Sequence, residues 1–129
     1  PRPGHGEHIL YLDDEPALVA LAGRMLGRLG YVVVGHTDPS AALADYTSRP
    51  AFFSAFVTDL AMPSMSGLDV IRVLRTLRSD VPVFLTSGRL SAEDEAAATE
   101  LRVRGLIQKP DTVKALAPAL ADLFAERGH

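Results

Sequence analysis

A chain of 129 residues with 47% hydrophobic and 22% charged residues can bury one core of ordinary size, which excludes a disordered tract and leaves no room for a second domain. A formal charge of −3, with 13 Lys and Arg scattered along the chain, excludes the basic stripe that tracks a phosphate backbone, so nucleic acid is not expected as a direct partner. Cys is absent, which removes disulfides and thiolate metal sites and fits a cytoplasmic setting, and no apolar run approaches the roughly 20 residues that span a bilayer.

Residues 1–7 combine Pro, Gly and His without an apolar period and read as a linker or tail, and residues 8–127 read as the folded domain. The His5 and His8 pair reads as incidental rather than as a weak metal site. Residues 8–12 (HILYL) are a short apolar run ending in Asp13, Asp14 and Glu15, as a buried strand does when its carboxyl end reaches the surface. From Pro16 to Leu29, the residues Leu18, Leu21, Ala22, Met25 and Leu29 share one helical stripe, and Gly30 follows at a stop position.

Residues 31–35 (YVVVG) are short and β-branched and predict a second strand, after which Asp38 and Pro39 supply a cap and a first-turn proline for a helix through about Tyr46. Residues 52–57 predict a third strand running into Thr58 and Asp59. A turn-rich stretch and a helix over about 68–78, carrying Leu68, Ile71, Leu74 and Leu77, come next. Residues 81–85 (VPVFL) predict a fourth strand ending at Thr86, Ser87 and Gly88. Ser91 then opens an Ala-rich helix with acids in its first turn and a weak core stripe. Residues 105–108 predict a fifth strand ending at Lys109 and Pro110, and Val113, Leu116, Ala117, Leu120 and Phe124 mark the last helix.

Strict alternation of strand and helix implies an α/β fold with helices on both faces of a parallel sheet, joined by right-handed crossovers. The expected architecture is a flavodoxin-like, doubly wound five-stranded sheet in order 2-1-3-4-5 with five helices. In such sheets the ligand site lies outside the carboxyl ends of the strands.

The polar residues at those ends are Asp13 and Asp14 after the first strand, Asp59 after the third, Thr86 after the fourth and Lys109 after the fifth. Each alone has an ordinary explanation: a strand-end acid is commonly a helix cap, and a Lys before Pro is commonly a solvated surface residue. Their joint appearance at the ends that this strand order brings together is not explained that way. Clustered carboxylates in a partly desolvated cleft repel one another, and a hard divalent cation relieves them. Mg²⁺ prefers one or two carboxylates plus waters and phosphate oxygens, which points to phosphoryl chemistry. The expected direct ligands are Asp14 and Asp59 with the carbonyl of Ala61, and Asp13 acts through water. A carboxylate can itself be the nucleophile and form an aspartyl phosphate if the phosphoryl charge is neutralised. Asp59 is then the phosphoacceptor, Mg²⁺ and Lys109 neutralise charge, and Thr86 donates to a phosphoryl oxygen.

The motifs LDDE at residues 12–15, TDLAMPSMSGLDV at 58–70, LTSG at 85–88 and QKP at 108–110 resemble receiver domains of bacterial response regulators, over residues 8–125. The resemblance implies Mg²⁺-dependent transfer of a phosphoryl group to Asp59 from a phosphohistidine, on a histidine kinase or a histidine phosphotransfer domain. It also implies that Thr86 and Lys109 couple that event to the surface of the fourth helix, fifth strand and fifth helix, with a homodimer through that face left open. The wording of residues 12–26 looks most like receivers fused behind histidine kinase modules in hybrid sensor kinases. Leu106 and Ile107 stand where many receivers carry an aromatic residue, which puts an aromatic rotamer switch in doubt, and Asp111 stands where an aromatic often follows Lys-Pro.

Other classes fit less well. A haloacid-dehalogenase-like phosphatase needs an Asp two residues after its strand-end nucleophile, and Glu15 stands there after Asp13. A nucleotide or flavin binder needs a Gly-rich turn after the first strand, where this chain places acids that repel phosphate. An unphosphorylated interaction module of the same fold is the remaining alternative.

Overall fold

The structure is a computed structural model and describes residues 4–77 and 79–127. Its elements alternate along the chain: β1 (His8–Leu12), α1 (Pro16–Arg28), β2 (Val32–His36), α2 (Pro39–Ser48), a 3₁₀ turn (Pro50–Phe52), β3 (Ala55–Asp59), α3 (Gly67–Thr76), β4 (Val83–Ser87), α4 (Ala92–Glu100), β5 (Gly105–Gln108) and α5 (Thr112–Arg127). All four strand pairings are parallel and the sheet order is β2-β1-β3-β4-β5, the expected doubly wound fold. Among the described residues no helix is long and apolar enough to cross a membrane.

Side chains alternate across each strand and so feed two cores. Leu10, Leu12, Phe56, Val83 and Leu85 meet α2, α3 and Ala98 of α4 on one face. Ile9, Tyr11, Ala55, Val57, Phe84 and Ile107 meet Ala22 and Leu26 of α1 and Leu116, Leu120 and Leu123 of α5 on the other. The central strands β3 and β4 are buried throughout, while β2 and β5 form the half-exposed edges.

Three strands begin later than the sequence pattern predicts: β2 at Val32, β3 at Ala55 and β4 at Val83. Tyr31 and Val81 are buried but lie ahead of the ladder, and Phe52 closes the 3₁₀ turn, where its ring lies 3.9 Å from the ring of His8. Hydrophobicity marked these residues correctly as apolar contacts but could not locate where pairing starts. α3 ends at Thr76 with Leu77 as its C-cap, short of the end expected at about Arg78, a residue that lies outside the described ones, as do Pro1, Arg2 and Pro3 of the expected tail. Within that segment Gly6 donates from its backbone to Gly30 at 2.7 Å, and Gly4 donates to Leu29. Gly30 has φ +97°, and a Cβ there would meet the Gly4 carbonyl, so only glycine completes the stop after α1.

The buried stripe of α1 is also turned from the one read in the sequence. Ala22 and Leu26 enter the core, whereas Leu21 and Met25 are 40% and 39% exposed. The predicted stripe straddles the boundary between the core and an apolar groove on the surface.

Candidate functional site

The two-residue period of the strands explains why the strand-end residues converge. Asp13 continues the face of Ile9 and Tyr11, Asp59 that of Ala55 and Val57, Thr86 that of Phe84, and Lys109 that of Ile107. All four therefore stand on the α1 and α5 side of the sheet, at its carboxyl edge. Asp59 and Thr86 are register partners across β3 and β4.

The geometry matches. The Lys109 ammonium lies 2.9 Å from Asp13 Oδ2 and 3.2 Å from Asp59 Oδ1, and Asp13 and Asp59 are both buried. Carboxylate oxygens of Asp13, Asp14 and Asp59 lie within 4.8 Å of one another, with Asp14 the half-buried member. Asp13 is held by its own turn, its Oδ1 accepting from the Glu15 backbone N–H at 2.9 Å, which leaves Oδ2 to face the ammonium. Thr86 is buried, and its carbonyl accepts from Leu60 N–H at 2.9 Å, fixing the start of the loop after Asp59. The Thr86 hydroxyl makes no hydrogen bond with the described residues, so it is available to a ligand.

Gly67 secures the other end of that loop. Its N–H donates to the Leu60 carbonyl at 2.8 Å, and a Cβ there would lie 2.2 Å from the Asp59 carbonyl oxygen. Ala61, between these anchors, is exposed two residues after Asp59.

Electrostatics follow from burial and crowding. Burial raises the Asp59 carboxyl above its usual range, the Asp13 charge adds to this, Lys109 opposes it, and Asp14 raises it further. Burial alone would favour a neutral Lys109, but the hydrogen bond and charge of Asp13, followed by those of Asp59, outweigh it and hold the ammonium above its ordinary value. One ammonium, in contact with Asp13 and Asp59, thus serves a cluster of three carboxylates. A further cation with oxygen preference fits this surplus of negative charge, so the donor set suits Mg²⁺.

Every site residue expected from the sequence lies at this edge, and the acids and Lys109 are brought into contact. Tyr11 was passed over, although its position two residues before Asp13 on one strand places it on the same face. Gly67 was read only as part of a motif, since its close approach to Asp59 depends on tertiary structure.

Comparison with known proteins gives a consistent assignment. A family model described as the response regulator receiver domain matches residues 9–121. The chain is 32% identical over 121 residues to the transcriptional regulatory protein PrrA of Mycobacterium tuberculosis, covering 93% of this chain and 51% of that protein. It is 33% identical over 108 residues to the sensory transduction protein RegX3 of the same species, covering 84% of this chain and 46% of that one. The chain thus spans about half the length of the curated relatives it matches. Among solved structures, a CheY-like response regulator receiver domain protein from Methanospirillum hungatei superposes with a TM-score of 0.87 at 22% identity, covering 95% of this chain and 97% of that one. A receiver domain protein from Clostridium thermocellum superposes with a TM-score of 0.86 at 21% identity, with 95% and 97% covered. The fold, the strand-end constellation and the family match over residues 9–121 agree, and the chain belongs to the response regulator receiver domain family.

Proposed function

We propose that the chain accepts a phosphoryl group on Asp59 within a cytoplasmic two-component phosphorelay, the donor being a phosphohistidine of a histidine kinase or a histidine phosphotransfer domain. A carboxylate oxygen of Asp59 attacks phosphorus, the P–N bond breaks, and the imidazole leaves with the bonding pair and takes up a proton. Asp14, Asp59 and the Ala61 carbonyl would hold Mg²⁺, with Asp13 acting through water, and the ion would neutralise charge on the phosphoryl oxygens. Lys109 exchanges its contact with Asp59 for a phosphoryl oxygen, and the Thr86 hydroxyl donates to another. Those two movements carry the event to the face of α4, β5 and α5, which becomes the output surface and, in one arrangement, a homodimer contact. A hybrid kinase and a separate regulator place the same chemistry at Asp59.

The observation that carries this reading is the buried Asp59 carboxylate with the Lys109 ammonium at 3.2 Å and two further acids beside it, at the carboxyl edge of a parallel sheet. The test is intact mass after treatment with acetyl phosphate, with and without Mg²⁺, beside Asp59→Asn. One added phosphoryl group that requires Mg²⁺ and is lost in the variant is expected. If no mass is gained under any condition while Mg²⁺ still binds, the chain is an unphosphorylated interaction module.

A further inference from the structure

Arg75, in the last turn of α3, places its guanidinium at the edge of the sheet opposite the acid site, where the chain enters β4 and leaves α4. Its Nε donates to the Leu101 carbonyl at 2.9 Å, Nη1 to the carbonyls of Ser79 and Val81, each at 3.0 Å, and Nη2 to the Arg102 carbonyl at 3.3 Å. One side chain thus joins the approach to β4 with the exit from α4. Leu101 is the C-cap of α4, whose last carbonyls need donors from outside the helix. Arg102, at φ +60°, holds the left-handed backbone that usually falls to glycine after a helix, and the Nη2 bond supports it there. The node also reaches α2, because Ser79 Oγ hydrogen-bonds the Tyr46 hydroxyl and accepts from Val81 N–H at 3.2 Å.

The two ends of α4 are held differently. At its start the capping box closes between Ser91 and Asp94, within the helix itself. Beside that end lies a cavity of about 460 Å³ lined by Ser87, Gly88, Arg89, Leu90, Glu95 and Gln108. Between the ends only Ala98 is buried. We propose that Arg75 is a latch that fixes the far end of α4, so that the helix swings from its start about a hinge at residues 101–103. The start can move into the cavity with its own cap intact, whereas lifting the end breaks charge-assisted bonds to Leu101 and Arg102 together. Only a planar fork spans carbonyls on two segments in this way, which a compact ammonium cannot do. The latch belongs to the fold and holds whether or not Asp59 is phosphorylated.

The test is backbone amide hydrogen exchange of the ¹⁵N-labelled chain, residue by residue along α4. In the wild type, residues 101–104 are expected to be better protected than residues 95–97. Arg75→Met should lower protection at 101–104 by roughly 10-fold or more, the size of one hydrogen bond to a charged group, and so flatten the gradient. Arg75→Lys, which keeps the charge, should give a smaller loss at the same amides, and it carries the test if the Met variant does not fold. Ser91→Ala should act at the other end, lowering 95–97 and steepening the gradient. A wild-type helix without a gradient, or a gradient that survives both Arg75 variants, would overturn the proposal. Equal losses at 95–97, at 101–104 and at the slowest amides of β1 would overturn it too, marking Arg75 as a contributor to overall stability alone.

Discussion

Asp59 illustrates how a residue can be suited to chemistry and unfavourable for stability at once. Burial is the main force lifting its carboxyl above the ordinary range, with Asp13 and Asp14 adding and Lys109 subtracting. Folding therefore disfavours the charged form: stability is fully present below the unfolded value and is lost as pH rises through the folded one. Asp59→Asn, neutral throughout, should melt higher than the wild type at pH 7 in Mg²⁺-free buffer, and the gap should close as pH falls below about 4, where an unfolded Asp is protonated. If Mg²⁺ binds the folded cluster as proposed, it should raise the wild-type melting temperature and narrow the gap, because the unfolded chain offers no such cluster. A gap that widened on acidification would contradict this account of the site. Two small neighbours carry a second expectation. Ala61 is exposed, and a Cβ built on Gly88 meets nothing within 4 Å, so neither of these two positions sets a bulky side chain in the approach of water to a phosphorylated Asp59. Ala61→Asn and Ala61→Arg should change the decay rate of the phosphorylated form, measured by the return of the unmodified mass. An unchanged rate in both would show that water access is not governed from this position.

At the scale of elements, the β3–α3 connection couples local backbone to the site. Gly67 opens α3 with its Cα packed against the Asp59 carbonyl, and the preceding Ser66 caps the helix by accepting from Asp69 N–H at 3.1 Å. Gly67→Ala would set a methyl against that carbonyl and the Leu85 side chain, at a cost of about 1–3 kcal/mol. Because the displaced atom belongs to Asp59, phosphorylation by acetyl phosphate should slow as well, although Gly67 has no side chain to touch the phosphoryl group. A full rate with normal stability would disprove the coupling. This close approach was invisible in the sequence, where SG before an apolar run signals only a helix start. The strand-end acids, Thr86 and Lys109 were legible because a period of two and an alternating topology fix which residues share a face and an edge. The α1 stripe was not: Leu21 and Met25 are apolar because they line a groove, and apolar periodicity alone cannot separate groove from core. The weak stripe of α4 was read correctly. Only Ala98 is fully buried there, and the helix relies on a capping box between Ser91 and Asp94.

Across the whole molecule, one sheet is the shared wall of two cores, and this bears on how the protein unfolds. Leu74 of α3 lies in the core with α2 and α4, and Leu120 of α5 lies in the core with α1; both are fully buried. Neither core can persist alone, since every central strand contributes alternate side chains to both and loses its partners on one face if the other face dissolves. Leu74→Ala and Leu120→Ala should each lower stability by about 2–5 kcal/mol, through lost transfer free energy and the cavity left behind. The two sites lie on opposite sides of the sheet and share no packing partner, so the double variant should lose close to the sum. Each variant should still melt in one transition with an unchanged dependence on denaturant concentration. Urea titrations followed by far-ultraviolet circular dichroism and by tyrosine fluorescence separate the possibilities, because Tyr46 reports from one core and Tyr11 and Tyr31 from the other. Coincident curves would establish the sheet as a single cooperative unit. Curves that part company in Leu120→Ala alone would mean that the α1 and α5 layer opens separately, and with it the face of the sheet on which Asp13, Asp59 and Lys109 stand.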